Sequence, residues 1–146
     1  MDSRAPSTAE EEHILFGDEH VRRYEETDGE EGHDWMGTTV LVLTTTGRRT
    51  GEKRKSALIY RPYGDGYLVV ASNGGADTPP AWYLNLQAAP AVEVQVRADR
   101  FAATACTATA EEKPDMWRTM TAAWPQYDEY QTKTDREIAV VVLERG

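Results

Sequence analysis

Three groups of residues in this chain have the types and spacing to do chemistry. The first is the stretch from Gly47 to Ser56. It holds Arg48, Arg49, Lys53, Arg54 and Lys55, five of the sixteen Lys and Arg residues within eight positions, opposed only by Glu52. The chain as a whole carries a formal net charge of -9, so cations gathered on one turn point to a multiply charged anion. Gly47 and Gly51 let backbone N–H groups converge on a phosphate or carboxylate, Thr50 adds a hydroxyl, and guanidinium forks match oxyanions. A solvated hairpin turn whose cations serve solubility fits the same residues. No G-x-x-x-x-G-K-[ST] loop and no G-x-G-x-x-G fingerprint occurs, so neither usual nucleotide cradle applies.

The second group is Ser72-Asn73-Gly74-Gly75-Ala76, followed by Pro80, Trp82, Tyr83 and Asn85. A serine at a strand end, beside glycines and a proline-started helix, offers backbone donors to a planar heterocycle or an acid. The plain alternative is a strand–loop–helix connection anchored by Trp82. The third group is Trp124, Tyr127 and Tyr130, reinforced by Trp117. These rings would wall an apolar substrate pocket with phenol donors, or cover one end of a barrel.

Other chemistries find less support. The three histidines, His13, His20 and His33, all lie near the N-terminus, and there is no G-x-S-x-G elbow. His33 beside Glu30, Glu31 and Asp34 is thin ground for a metal, and none is assigned. The single cysteine, Cys106, excludes an internal disulfide and a Cys-based zinc site, and reads as a packed small residue. Net negative charge argues against broad binding to nucleic acid or anionic membrane. The apolar run Ile138 to Leu143 is too short to span a bilayer, and the acidic N-terminus does not resemble a signal peptide. Cytoplasm is the default expectation, without stable membrane insertion.

The elements that must position these groups read as follows. Residues 1–12 form a mobile acidic tail, and residues 13–146 one domain. An amphipathic helix spans His13 to Glu26, and a polar loop follows from Thr27 to Trp35. The apolar run from Val40 is a strand extended by Thr44 to Thr46. Ser56 to Tyr63 is the second strand, and Gly64-Asp65-Gly66 turns it into the third, Tyr67 to Ser72, apolar enough to be buried on both faces. Ala81 to Gln87 is a short helix. Ala91 to Val96 alternates Val92, Val94 and Val96 against Glu93 and Gln95, a half-buried strand. Phe101 to Thr109 is a strand of small residues, Glu111 to Trp124 a helix with Met116, Trp117, Met120 and Ala123 on one stripe, and a loop with Tyr127 and Tyr130 leads to a last strand, Ile138 to Leu143. Six strands with short hairpins and scattered helices describe an antiparallel, barrel-like α+β fold.

The combination LTTTGRRTG with a following Arg, then ASNGGA and PAWYLNL, then YDEYQ and a closing strand resembles the deazaflavin-dependent nitroreductase and quinone reductase family of actinobacteria. The resemblance runs from about Trp35 to the C-terminus. It implies a split β-barrel of the flavin-reductase type and use of coenzyme F-420, an 8-hydroxy-5-deazaflavin with a phosphate and polyglutamate tail. By that resemblance Arg48, Arg49, Thr50, Gly51 and Arg54 hold the phosphate and tail, helped by Lys53, Lys55 and Ser56. Val70, Ala71, Ser72 and Asn73, with Ala81, Trp82, Tyr83 and Asn85, frame the ring. Tyr127 and Tyr130 match family tyrosines near substrate and ring. The sequence departs from the family at Asn73, often a lysine there, at Ala57, often a proline, and at Trp124, where nitroreductase members carry a tyrosine.

The resemblance therefore implies a reductase delivering hydride from reduced F-420 to a small-molecule acceptor: a quinone, an enone or a nitro compound. Ser72 or Tyr130 would polarise the acceptor or give it a proton. An FMN-dependent oxidoreductase of the same barrel type, or a non-catalytic deazaflavin carrier, are the competing readings. Either a monomer or a homodimer is compatible with the sequence.

Overall fold

A computed structural model of the chain describes residues 14–146. The expected tail over residues 1–12 and the first residue of the expected helix, His13, lie outside the described residues. Helix α1 (Gly17–Glu26) comes first, and the short β1 (Asp34–Trp35) then pairs with the start of β2 (Thr38–Thr46). The strands β3 (Lys53–Ile59), β4 (Arg61–Tyr63) and β5 (Gly66–Val70) follow. A single 3-10 turn, Asn73–Gly75, leads to α2 (Ala81–Ala88). Then come β6 (Ala91–Val96), β7 (Asp99–Thr107), α3 (Lys113–Ala123), α4 (Gln126–Thr132) and β8 (Val140–Arg145).

The strands form one antiparallel sheet in the order β1-β2-β6-β7-β8-β5-β4, with β3 on the other edge of β2. It curls into the split barrel that the family resemblance implies. Alternation along the strands sorts the side chains into two layers. Leu41, Leu43, Val69, Val92, Val94, Ala103, Val141 and Leu143 pack together on the inner face, where Trp82 and Leu86 of α2 join them. On the outer face, Leu68, Val70 and Val140 pack under Met116 and Met120 of α3 and Tyr127 of α4. Val40 and Val42 pack under Val21 and Tyr24 of α1. The β5 strand is thus buried on both faces, as its continuous apolar run predicts.

Several expectations need correction. Lys53, Arg54 and Lys55 belong to strand β3, not to the turn, because they pair residue for residue with Thr46, Thr45 and Thr44. The expected second strand breaks at Tyr60, which separates β3 from β4. Tyr127 and Tyr130 lie on helix α4, not in a loop; Pro125 caps that helix as well as ending the one before. Gln95 is buried rather than solvent-facing, its amide donating to the Arg97 carbonyl at 2.8 Å. Cys106 is exposed, not packed. The hairpin at Gly64-Asp65 holds, with Tyr63 opposite Gly66.

Candidate functional site

The loop between β2 and β3 is closed by its own backbone. The Gly47 amide donates to the Glu52 carbonyl at 2.7 Å, and the Gly51 amide donates to the Gly47 carbonyl at 2.8 Å. Gly51 has φ +76°, a conformation that favours glycine. Asn85 of α2 braces this loop from beneath. It is buried, and its Oδ1 accepts from the Arg48 amide at 3.2 Å and the Arg48 guanidinium at 3.0 Å, while its Nδ2 donates to Thr45 Oγ1 at 3.3 Å. Around this brace lies a cavity of about 310 Å³ lined by Gly47, Arg48, Arg49, Thr50, Arg54, Ser56, Ala81, Trp82 and Asn85. Three guanidinium-bearing residues line it and no carboxylate does.

The two-residue period of β3 divides the cationic cluster. Arg54 sits opposite Thr45, which contacts Asn85, so Arg54 and Ser56 face the cavity. Lys53 and Lys55 face the other way. Lys53 lies 3.6 Å from Glu93, and Lys55 lies 2.6 Å from Glu25. Lys55 touches the cleft only as one lining residue of its larger part.

That larger part is a cavity of about 660 Å³, lined by residues that include Ser56, Leu58, Val70, Ser72, Asn73, Gly74, Pro80 and Trp82. Ser56 and Trp82 line both cavities, so the two adjoin in one cleft, with the arginines at one end and a mixed lining at the other, where Leu58, Val70 and Pro80 stand beside Ser72, Asn73, Lys55 and Asp18. The strand-end loop forms one wall. Asn73 holds φ +48°, with its side-chain amide donating to the Thr78 carbonyl at 3.0 Å, and Gly74 and Gly75 follow at φ +64° and +86°. An asparagine tolerates that conformation better than most residues, since its short side chain can bond locally.

Not every candidate reaches the cleft. Tyr83 turns outward and shares a hydrogen bond with Thr107 Oγ1 at 2.8 Å. Ala71 is fully buried behind the loop. Tyr127 is buried in the outer core layer, and that burial pushes its phenol above the ordinary tyrosine range. Its ring meets Tyr130 edge-on, with centroids 6.1 Å apart. Tyr130 is half-exposed, and its hydroxyl accepts from the Trp124 indole N–H at 3.4 Å. Trp124 stacks on Trp35, centroids 5.8 Å apart, and Trp35 meets Phe16 edge-on at 5.6 Å. Phe16 in turn lines the larger cavity, so this aromatic row leads from Tyr130 to the cavity rim.

Sequence reasoning missed Phe16, Trp35 and Arg136. The indole of Trp35 donates to the Leu15 carbonyl at 2.8 Å and ties the start of the described chain to this rim. The Arg136 guanidinium contacts the loop after β5. No local pattern marks any of the three, because each contact joins segments far apart in sequence. His33 has both ring nitrogens engaged, with Asp34 at 2.8 Å and the Tyr60 hydroxyl at 2.9 Å.

Comparison with known proteins agrees with this architecture. The sequence profile of the family described as F420H(2)-dependent quinone reductase matches residues 17–145. The F420H(2)-dependent quinone reductase Rv1261c of Mycobacterium tuberculosis is 40% identical over 131 residues, covering 86% of this chain and 87% of the relative. The solved structure of an F420-H2 dependent reductase, FDR-A, superposes with a TM-score of 0.67 at 40% identity, over 72% of this chain and 93% of that one. A solved domain-swapped dimer, 37% identical, has a TM-score of 0.70 over 85% of this chain and 96% of that one. With a profile match across nearly the whole described chain and relatives at this identity, the chain belongs to the F420H(2)-dependent quinone reductase family.

Proposed function

We propose that the protein binds reduced coenzyme F-420 along the joined cleft and reduces a quinone at the mouth of the larger cavity. The observation that carries this reading is the carboxylate-free cavity lined by three arginines, adjoining through Ser56 and Trp82 a larger one of mixed polar and apolar lining. The donor set fits the coenzyme. Arginine forks suit a phosphate and a polycarboxylate tail, with the Gly47, Arg48 and Gly51 amides spent within the loop and on Asn85, while Leu58, Val70, Pro80 and Trp82 suit a flat heterocycle. When bound, the reduced deazaflavin supplies the hydride.

The chain's own residues bind, orient and manage protons. Arg48, Arg49 and Arg54 anchor the tail, and Asn85 holds Arg48 in place for it. Trp82 closes the cleft floor, where it is buried against the inner core. Ser72 stands on the wall of the larger cavity. The Tyr130 hydroxyl accepts from Trp124, which leaves its own proton free to donate toward a reduced oxygen. The row of Phe16, Trp35 and Trp124 offers aromatic faces to a planar quinone at the cavity rim.

The test is titration of the purified protein with F-420 and, separately, FMN, followed by fluorescence, and then oxidation of reduced F-420 in the presence of menadione. Saturable F-420 binding with menadione-dependent oxidation is expected. Preference for FMN, or tight F-420 binding without turnover of any quinone, enone or nitroaromatic, would replace the reading with a flavin enzyme or a carrier. Tyr130→Phe is expected to lower turnover about tenfold or more with F-420 affinity nearly unchanged; an unaffected rate removes Tyr130 from the chemistry.

A further inference from the structure

Arg136 lies in the segment between α4 and β8, outside every group that the sequence singles out. Its guanidinium spends its donors on one loop. Nη1 donates to the Ala71 carbonyl at 3.3 Å, Nη2 to the Ser72 carbonyl at 2.9 Å, and Nε to the Ala76 carbonyl at 2.9 Å. These three acceptors bracket Asn73, Gly74 and Gly75, a run of positive φ angles of which Asn73 and Gly74 line the cavity. Gly74 and Gly75 reach that region without steric cost but also leave it readily, so it is contacts from outside the loop that hold this one conformation.

The support is itself anchored. Gln131 of α4 donates from Nε2 to the Arg136 carbonyl at 2.8 Å, and its Oε1 accepts from the Ile138 amide at 3.0 Å. The same helix presses on the loop directly: a Cβ on Gly75 would stand 2.7 Å from the Tyr130 carbonyl oxygen. The loop, Arg136 and α4 are thus fastened to one another at separate points.

We infer that Arg136 is a positioning residue, which locks the 71–76 loop to the helix carrying Tyr130 and so fixes how the larger cavity meets the cofactor ring. The peptide geometry gives the reason. In a trans peptide the carbonyl and the next N–H point in opposite directions. With the Ala71 and Ser72 carbonyls turned to Arg136, the amides of Ser72 and Asn73 are turned away from it. Ser72, Asn73 and Gly74 line the larger cavity, whereas Arg136 lines a different one. The clamp therefore presents two backbone donors to the cleft and sets Ser72 and Tyr130 in one frame. The ligand half of this inference rests on the cofactor reading above; the clamp itself does not.

The experiment uses Arg136→Gln, with Arg136→Lys, which keeps the charge but loses the planar fork, serving if the glutamine variant does not fold. Hydrogen exchange in the cofactor-free protein is measured first. Amides across residues 71–78 are expected to exchange about tenfold faster or more, while those of β2, β6 and β7 are unchanged. F-420 titration is then made at low and high salt. Affinity is expected to fall about tenfold while the salt dependence stays that of the unsubstituted protein, because the tail cations are untouched. Unchanged exchange across 71–78 would overturn the clamp, whatever the cofactor does. Faster exchange with full F-420 affinity would overturn the positioning role. Faster exchange together with no F-420 response from the unsubstituted protein would overturn the cofactor reading and, with it, the ligand half of the inference.

Discussion

Strand alternation makes a sharp prediction at two neighbouring cations. Arg54 faces the small cavity, while Lys53 faces away beside Glu93, and their side chains are almost equally exposed at 58% and 59%. Exposure and sequence position therefore do not distinguish them; direction does. A charge-assisted hydrogen bond to an oxyanion contributes about 1.5–3 kcal/mol, but that to a half-exposed arginine belongs at the lower end. Glu52, 3.7 Å from Arg54, shares part of its charge in the free protein. The expected loss for Arg54→Ala is thus about 1.4 kcal/mol, or about tenfold in Kd. Lys53 acts only through a screened charge across the strand, worth a few tenths of a kcal/mol, so Lys53→Ala should cost about twofold or less. Fluorescence titration with F-420 at about 50 mM and about 300 mM salt measures both terms. Arg54→Ala should also flatten the salt dependence, and Lys53→Ala should barely alter it. Equal losses in the two variants would refute the division of the cluster by strand face, and affinity unchanged in both would refute the anchoring role altogether.

Two further predictions concern stability. Gly75→Ala places a Cβ 2.7 Å from the Tyr130 carbonyl oxygen at φ +86°, and should cost about 2–4 kcal/mol in urea denaturation. Gly74→Ala, at φ +64° with nothing within 4 Å, should cost only about 1–2 kcal/mol of backbone strain; a reversed order would contradict the packing of α4 on the loop. Burial pushes the Tyr24 phenol up to about 12, and burial also raises Tyr60 and Tyr127. Since the unfolded chain gives up these protons near pH 10 and the folded chain holds them longer, stability should be level below that point and fall as pH rises beyond it. For Tyr24 alone the loss approaches about 2 kcal/mol by pH 12. Denaturation midpoints at successive alkaline pH values check the sign, and a flat profile from pH 9 to 12 would contradict the burial of these rings.

Much of the fold follows from local pattern. The apolar run of β5 demands burial on two faces, Gly64-Asp65 specifies a two-residue hairpin, and the Met116 and Met120 spacing marks a buried helix stripe. The cationic turn and the Ser72 loop are equally visible, since glycine, arginine and proline act through their own backbone and charge. Boundaries were less legible. Charged Lys53 to Lys55 look like a turn until they find the partner strand Thr44 to Thr46, and Tyr127 and Tyr130 look like a loop until α4 packs its rings on β5 and β8. Pairing and packing across distant segments override weak local preference.

By itself the sequence determined an acidic, mainly β protein with an anion-seeking turn, a glycine-rich strand end and an aromatic group near the C-terminus, because residue type and short spacing carry charge, backbone freedom and periodicity. Only the tertiary structure decided which side chains share a cavity. It joined the two cavities at Ser56 and Trp82, turned Lys53 and Tyr83 away, buried Tyr127, and brought Arg136 to carbonyls more than sixty residues earlier. Those outcomes depend on strand register and on contacts between remote segments, and neither leaves a mark in the local order of residues.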